Sequence, residues 1–145
     1  MTNLTLRAKE VFSKDLYATE TTGVALETVE RDHARCSLRL QPVHRNAMGG
    51  VMGGVMFTLA DLAFAAAANS PCIDAGEPLS WVSTGSSIHY IAQPVGHLLV
   101  AETQYIKRTR SSCLFHINIH DDQDILVAVV TTTGRKIARQ NAPHQ

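Results

Sequence analysis

The sequence predicts an α+β fold in which a strongly curved antiparallel sheet wraps around one long central helix, and three observations predict it. Apolar and polar residues alternate at period two in both halves of the chain. A single long stretch between those halves is apolar at helical spacing on every face. The connections in the second half are too short to contain crossover helices.

In chain order, Leu4, Ala8, Val11 and Phe12 lie at helical spacing between charged residues, which predicts a short amphipathic helix over Leu4 to Tyr17. From Gly23 to Gln41 the pattern is that of strands. Ala34, Cys36, Leu38 and Leu40 alternate with Arg35, Ser37 and Arg39, as in a sheet with one wet face, and Pro42 ends the run. The long helix starts at Val51 or Met52 and runs to about Asn69. Met56, Phe57, Leu59, Leu62, Ala63, Phe64 and Ala65 to Ala68 point in all directions, so protein should surround it, and Asn69-Ser70-Pro71 is a stop signal.

Four more strands follow: Trp81 to Ile91, Leu98 to Arg108, Ser112 to His120 and Ile125 to Thr133. The turns "QPVGH", "TRSS" and "DDQD" between them predict antiparallel neighbours in sequential order. Cys113, Phe115, Ile117 and Ile119 face one way, and His116, Asn118 and His120 the other. The last strand, "ILVAVV", is apolar on both faces and belongs in the interior of the sheet.

The length of 145 residues suits one domain, 1–145, with a core of its own. Thirteen Lys and Arg balance thirteen Asp and Glu, so bulk charge argues against nucleic acid or an anionic membrane as the main partner. Cys36, Cys72 and Cys113 are odd in number and without a CxxC pair, so neither a disulfide framework nor a zinc ribbon is encoded, and a reducing cytoplasm is expected. Charges scattered through the first seventeen residues argue against a signal peptide, and no segment is long enough to span a bilayer. His116 and His120 share a strand face about 13 Å apart, too far to bind one metal directly, and neither metal nor cofactor is expected.

Two features call for chemistry. Gly49, Gly50, Gly53 and Gly54 sit where a loop enters the long helix. They either let the backbone pass close to a neighbouring strand, or let a ligand oxygen approach the unpaired N–H groups of the helix start. Asp61 lies in mid-helix among apolar neighbours, where an unpaired buried carboxylate costs several kcal/mol. It is either a structural partner for a backbone group across an interface or a general base or nucleophile.

The stretch "HRNAMGGVMGGVMFTLADLAFAAAAN" resembles the signature of the phenylacetate-pathway (PaaI-type) hotdog acyl-CoA thioesterases, approximately H-x-N-x-x-G-x-x-H-G-G-x-x-x-x-L-x-D. "SSIHYIAQPV" and "GRKI" are similar to later strands of the family. The resemblance implies a hotdog fold and hydrolysis of an acyl-CoA thioester. It further implies that Asn46 hydrogen-bonds the thioester carbonyl, that the backbone N–H of Gly53 or Gly54 completes the oxyanion site, and that Asp61 attacks the thioester carbon or activates a water. Ser83 aligns with a residue that orients this water in some members, with Thr84 beside it as a substrate contact. Met52 stands where the family usually has histidine, which bears on loop conformation and pocket shape. In a CoA hydrolase, the clusters Lys107, Arg108, Arg110 and Arg135, Lys136, Arg139 become candidates for the nucleotide phosphates, Arg110 first.

Two other classes compete with hydrolysis. A hotdog dehydratase or hydratase wants a His and carboxylate proton-transfer pair, and neither H-F-P-x-x-P nor D-x-N-P-x-H occurs. A non-catalytic acyl-CoA sensor would need an effector module, and the residues before the first strand are too few for one. Gly53 and Asp61 are eight residues apart on one helix, about 12 Å along its axis, so they cannot both touch one thioester carbon within a chain. A homodimer with shared active sites is therefore expected, with a pairing of dimers into tetramers beyond it.

Overall fold

In the computed structural model, which describes residues 1–138, the chain begins with helix α1, Asn3–Phe12. Thr2 caps it, its hydroxyl oxygen accepting from the Thr5 N–H at 3.1 Å. Thr5 pins the helix to the sheet, donating to the Val29 carbonyl (3.1 Å) and accepting from the Val29 N–H (3.0 Å). The helix is shorter than its periodicity predicts. Tyr17 belongs instead to a π-helical turn, Tyr17–Thr22, closed by Gly23 at φ 91°, a left-handed geometry that glycine adopts without strain.

Six strands follow: β1 Ala25–Glu30, β2 His33–Arg39, β3 Trp81–Tyr90, β4 Leu98–Arg108, β5 Ser112–Asp121 and β6 Leu126–Lys136. They form one antiparallel sheet in the order β1-β2-β4-β5-β6-β3. The strand bounds agree closely with the sequence pattern, and β4, β5 and β6 are sequential antiparallel neighbours as expected, but β3 is not the neighbour of β4. β3 pairs with β6, in the register Ser86↔Thr132 and Ile88↔Val130, and β4 pairs with β2. The connection 91–97 therefore runs from the β3 edge past β6 and β5 to β4 in the interior of the sheet. Three inter-strand spacings amount to about 14 Å, and seven extended residues reach more than about 20 Å, so this short loop suffices without a helix. Asp121 anchors it by accepting from the Val95 and Gly96 N–H groups at 2.8 and 2.9 Å, and from Gln123 and Ile125 in its own turn. β6 lies in the interior as expected. β3 forms one edge of the sheet, with most of its residues exposed.

Helix α2, Gly53–Ala68, fills the concave face. Leu59, Ala63, Ala66 and Ala67 are fully buried, and Phe64 meets Phe115 edge-to-face at 5.9 Å. Gly134 makes room for that ring, since a Cβ there would lie 2.7 Å from Phe64 Cζ and 2.8 Å from the Val82 carbonyl. The expected stop at Asn69-Ser70-Pro71 is a break followed by helix α3, Ser70–Ala75. Proline is tolerated there because a first-turn N–H has no intrahelical partner to lose. Asn69 ties the break to β3: its Nδ2 donates to the carbonyls of Ala65 and Trp81, and its Oδ1 accepts from the N–H groups of Ser80 and Trp81.

One expectation about α2 needs correcting. The helix is not enclosed on every side of the single chain, because Gly54, Phe57 and Asp61 are exposed and Thr58 and Ala65 half-buried. These positions share one face at helical spacing, a stripe that the sheet does not cover.

Candidate active site

Asp61 stands in the middle of the open stripe. It lines a concavity of about 380 Å³ with Asp15, Leu16, Tyr17, Ala18, Phe57, Thr58, Leu62 and Ala65. Among the described residues its carboxylate accepts no hydrogen bond and meets no cation. The residue keeps an exposed face, yet partial burial in this concavity pushes its carboxyl above the usual range, and the charge of Asp15 pushes it further. Both influences disfavour the anion, so the ionised form is a stronger base than an ordinary aspartate.

The glycine loop is built by Asn46. Its Oδ1 accepts from the N–H groups of Met48 and Gly50, both at 3.0 Å, while its backbone N–H donates to the Gly50 carbonyl at 2.7 Å. Two backbone donors on one side-chain atom identify that atom as the oxygen. The Nδ2 donor is thereby directed away from the loop, and among the described residues it has no partner. His44 anchors the same loop from inside. Its Nδ1 accepts from the Gln41 N–H (2.9 Å), so its Nε2 carries the proton given to the Thr22 carbonyl (2.7 Å). Met52, in the position where the family usually has histidine, precedes the helix without capping it by its side chain.

The first-turn N–H groups of Gly53 and Gly54 bond no group among the described residues. The two glycines differ in their surroundings. A Cβ on Gly53 would lie 2.6 Å from the Tyr90 hydroxyl, and one on Gly50 2.9 Å from Gln93 Oε1, so β3 and the loop after it pack directly on the helix start. A Cβ on Gly54 would meet nothing within 4 Å. The fold gives a packing reason for glycine at 53 and none at 54.

These groups occupy two places in one chain. Asn46 lines a cavity with Arg45, Met48, Gly49, Gly50, Gln93 and Pro94, none of which lines the Asp61 concavity. Ser83 is exposed on β3 opposite Gly134, and no hydrogen bond joins it to Asp61 among the described residues. Thr84 lies 3.1 Å from the Thr133 hydroxyl and lines a third cavity with Lys107, Cys113 and Arg135.

The basic cluster splits in the same way. Arg108, Arg110 and Lys136 share a cavity with Arg31, Glu77 and Trp81, away from Lys107. Within it Arg108 is structural. It pairs with Asp32 at 2.7 Å, donates to the Ala68 carbonyl at 3.0 Å and stacks 4.6 Å from the Trp81 ring centroid, joining the β1–β2 turn to the end of α2. Arg110 and Lys136 are exposed. Arg139 lies outside the described residues. Among the described residues no three His, Cys, Asp or Glu side chains are grouped to hold a metal ion.

The sequence reading missed Asp15, Tyr90, Gln93 and Arg31. Asp15 sits in a charged stretch that reads as a solvated helix face, and the other three reach their places only through tertiary contacts.

A family model described as the thioesterase superfamily matches residues 48–128, more than half of the chain, from the glycine loop through α2 and into β6. The chain belongs to the thioesterase superfamily. Solved structures share the hotdog fold. The PaaI protein of the Escherichia coli phenylacetic acid degradation operon is 21% identical with a TM-score of 0.81, over 94% of this chain and 97% of its own. A thioesterase family protein from Silicibacter pomeroyi is 12% identical with a TM-score of 0.80, over 94% and 100%. Thioesterase superfamily member 2 from Mus musculus is 19% identical with a TM-score of 0.77, over 93% and 98%. No curated protein matches the sequence significantly. Among the described residues no helix is long and apolar enough to cross a membrane.

Proposed function

We propose that this thioesterase superfamily member hydrolyses acyl-CoA thioesters at sites shared between two copies of the chain. The observation that carries the reading is a pair of complementary half-sites, neither of them used by the fold. Among the described residues, Asn46 Nδ2 and the Gly53 and Gly54 N–H groups are donors without partners, and Asp61 is a carboxylate without a partner. The donors suit the oxyanion that forms on a thioester carbonyl, and the carboxylate suits attack on its carbon.

Within one helix the two halves lie about 12 Å apart along the axis. A two-fold axis that sets two α2 helices antiparallel through their open stripes brings Asp61 of one chain level with Gly53, Gly54 and Asn46 of the other, giving two equivalent sites. The exposed edge of β3 offers unpaired backbone groups for the same association. Pairing of such dimers into tetramers extends the proposal.

Two routes satisfy this arrangement. In one, an Asp61 oxygen attacks the thioester carbon and CoA leaves as the thiolate; one water then cleaves the resulting anhydride to the Asp61 carboxylate and the acid, and a proton released from that water goes to the thiolate. In the other, Asp61 removes a proton from water as its oxygen attacks, and the tetrahedral oxyanion collapses to acid and thiolate, which receives that proton. Arg110 and Lys136 are the cations available to the nucleotide phosphates, while Arg108 braces their cavity and Lys107 contacts CoA only from the opposite side. Ser83 and Thr84 reach the thioester only from a neighbouring subunit. The three cysteines are buried free thiols, in keeping with a cytoplasmic protein.

The test is release of free CoA thiol from a panel of aryl- and alkyl-CoA esters. Turnover is expected for at least one class and loss of it in Asp61→Asn; absence of hydrolysis across the panel would overturn the proposal. Single turnover in heavy-oxygen water separates the routes, label in the Asp61 carboxylate marking the anhydride.

A further inference from the structure

The concavity beside Asp61 contains a second carboxylate that the reaction as described does not use. Asp15 lies between α1 and the π-helical turn, where its backbone is fixed: its N–H donates to the Phe12 carbonyl at 3.0 Å, and its own carbonyl accepts from Thr19 N–H and Oγ1, both at 2.9 Å. Its side chain, by contrast, has no hydrogen bond or ion pair among the described residues. Lys14 and Glu20, its charged neighbours in sequence, do not line the concavity.

Within one chain, the other described groups around Asp61 leave the two carboxylates to each other, and in the proposed dimer the groups brought level with Asp61 from the other chain, the Asn46 amide and the glycine N–H groups, are uncharged. Helix α2 carries no other ionisable side chain. The remaining walls are Leu16, Ala18, Phe57, Leu62 and Ala65, with Thr58 and Tyr17 as the other polar members and the Tyr17 phenol the only other titratable one. The sheet packs on the opposite side of α2, where the thiols of Cys36 and Cys113 are pushed up by burial and stay uncharged. Two like charges lining one partly buried concavity, with no cation between them among the described residues, raise each other's energy.

We propose that Asp15 is a positioning residue of the active site, whose unpaired charge acts on Asp61 across the shared concavity, makes it a stronger base or nucleophile, and sets the pH at which hydrolysis begins. Asp15 touches no reacting atom and works through Asp61 alone. The direction agrees with the upward displacement of both carboxyls, each caused first by partial burial and, for Asp61, second by Asp15. A segment that reads as a surface helix end thereby becomes part of the site.

The kinetic arm of the test rests on the thioesterase reading, and a second arm does not. Asp15→Asn is isosteric and removes no hydrogen bond of the fold. It is expected to move the acid limb of kcat/KM to lower pH by roughly half a unit or more, and to lower the plateau severalfold, because a less basic Asp61 is a weaker catalyst. Asp15→Glu, which keeps the charge, is expected to restore both. A merely structural residue would move neither the limb nor its recovery. Independently, carbon NMR titration of the Asp61 carboxyl in the intact oligomer is expected to give a lower midpoint in Asp15→Asn than in the wild type. An unchanged midpoint overturns the proposal. A displaced midpoint in a protein that hydrolyses no thioester upholds the coupling and strikes the thioesterase reading instead.

Discussion

Gly54→Ala separates the two reasons a helix can begin with glycine. Within the chain the added methyl meets nothing within 4 Å, so it brings no overpacking, and alanine is the better helix former by up to about 1 kcal/mol. If folding alone matters, the variant should be as stable as the wild type or melt up to about 4 °C higher. If a thioester oxygen must approach the Gly54 N–H in the assembled dimer, the same methyl stands in the way, and crowding of about 1–3 kcal/mol in the transition-state complex corresponds to roughly a five- to 150-fold loss of kcat/KM. The assay pairs thermal denaturation with thiol-release kinetics, and light scattering checks that the variant and the wild type share one oligomeric state. Retained stability with lost activity is the expected result. Undiminished kcat/KM would refute the reasoning, because the open space above Gly54 would then have no ligand to admit. Gly53→Ala provides the contrast, since its methyl displaces Tyr90 and should perturb the fold as well.

Other expectations follow from individual contacts. Asp61→Asn should lower kcat by orders of magnitude while raising the melting temperature at neutral pH. A carboxyl raised by burial and by Asp15 adds stability that is complete below its unfolded value near about 3.9 and is lost as pH rises through its folded value, so the gain in the variant should vanish in acid. Asn46→Asp keeps the oxygen that accepts from Met48 and Gly50 but removes the Nδ2 donor, so it should preserve the loop and cost on the order of 2–4 kcal/mol in kcat/KM. Unaltered kinetics would take Asn46 out of the oxyanion site. Arg110→Ala should raise KM for CoA esters more than it lowers kcat, and should matter little for a short pantetheine thioester. Equal effects on both substrates would remove Arg110 from the nucleotide site.

The fold was legible wherever one-dimensional periodicity carries the information. Alternation in "HARCSLRL" and "SCLFHINIH" gave strands close to their observed bounds, and the all-round apolarity of 53–68 gave the central helix. The order β4-β5-β6 was legible from the short turns between them, but the place of β3 was not, because "QPVGH" is short enough for a hairpin and long enough to cross two strands, and the choice falls to the pairing of β3 with β6. The open stripe on α2 was hidden for a related reason: Phe57 reads as core, and only the assembled sheet shows which face it leaves bare. For the candidate site, the motif located Asn46, the glycines and Asp61. It could not show that Asn46 uses its oxygen internally, which depends on the local fold of the glycine loop, nor that Arg108 is tied to Asp32 or that Asp15 shares the concavity of Asp61, which depend on residues distant in sequence.

Subunit complementation tests the shared-site claim most directly. Asp61→Asn and Asn46→Asp chains, each inactive alone, are mixed, allowed to exchange subunits, and assayed for thiol release, with exchange verified by mass. A mixed dimer has one site with both defects and one with neither, so the account predicts that substantial activity returns, approaching half the wild-type rate per dimer in the mixed species. If exchange is complete and the mixture stays inactive, the half-sites do not meet across two chains, and the account is contradicted.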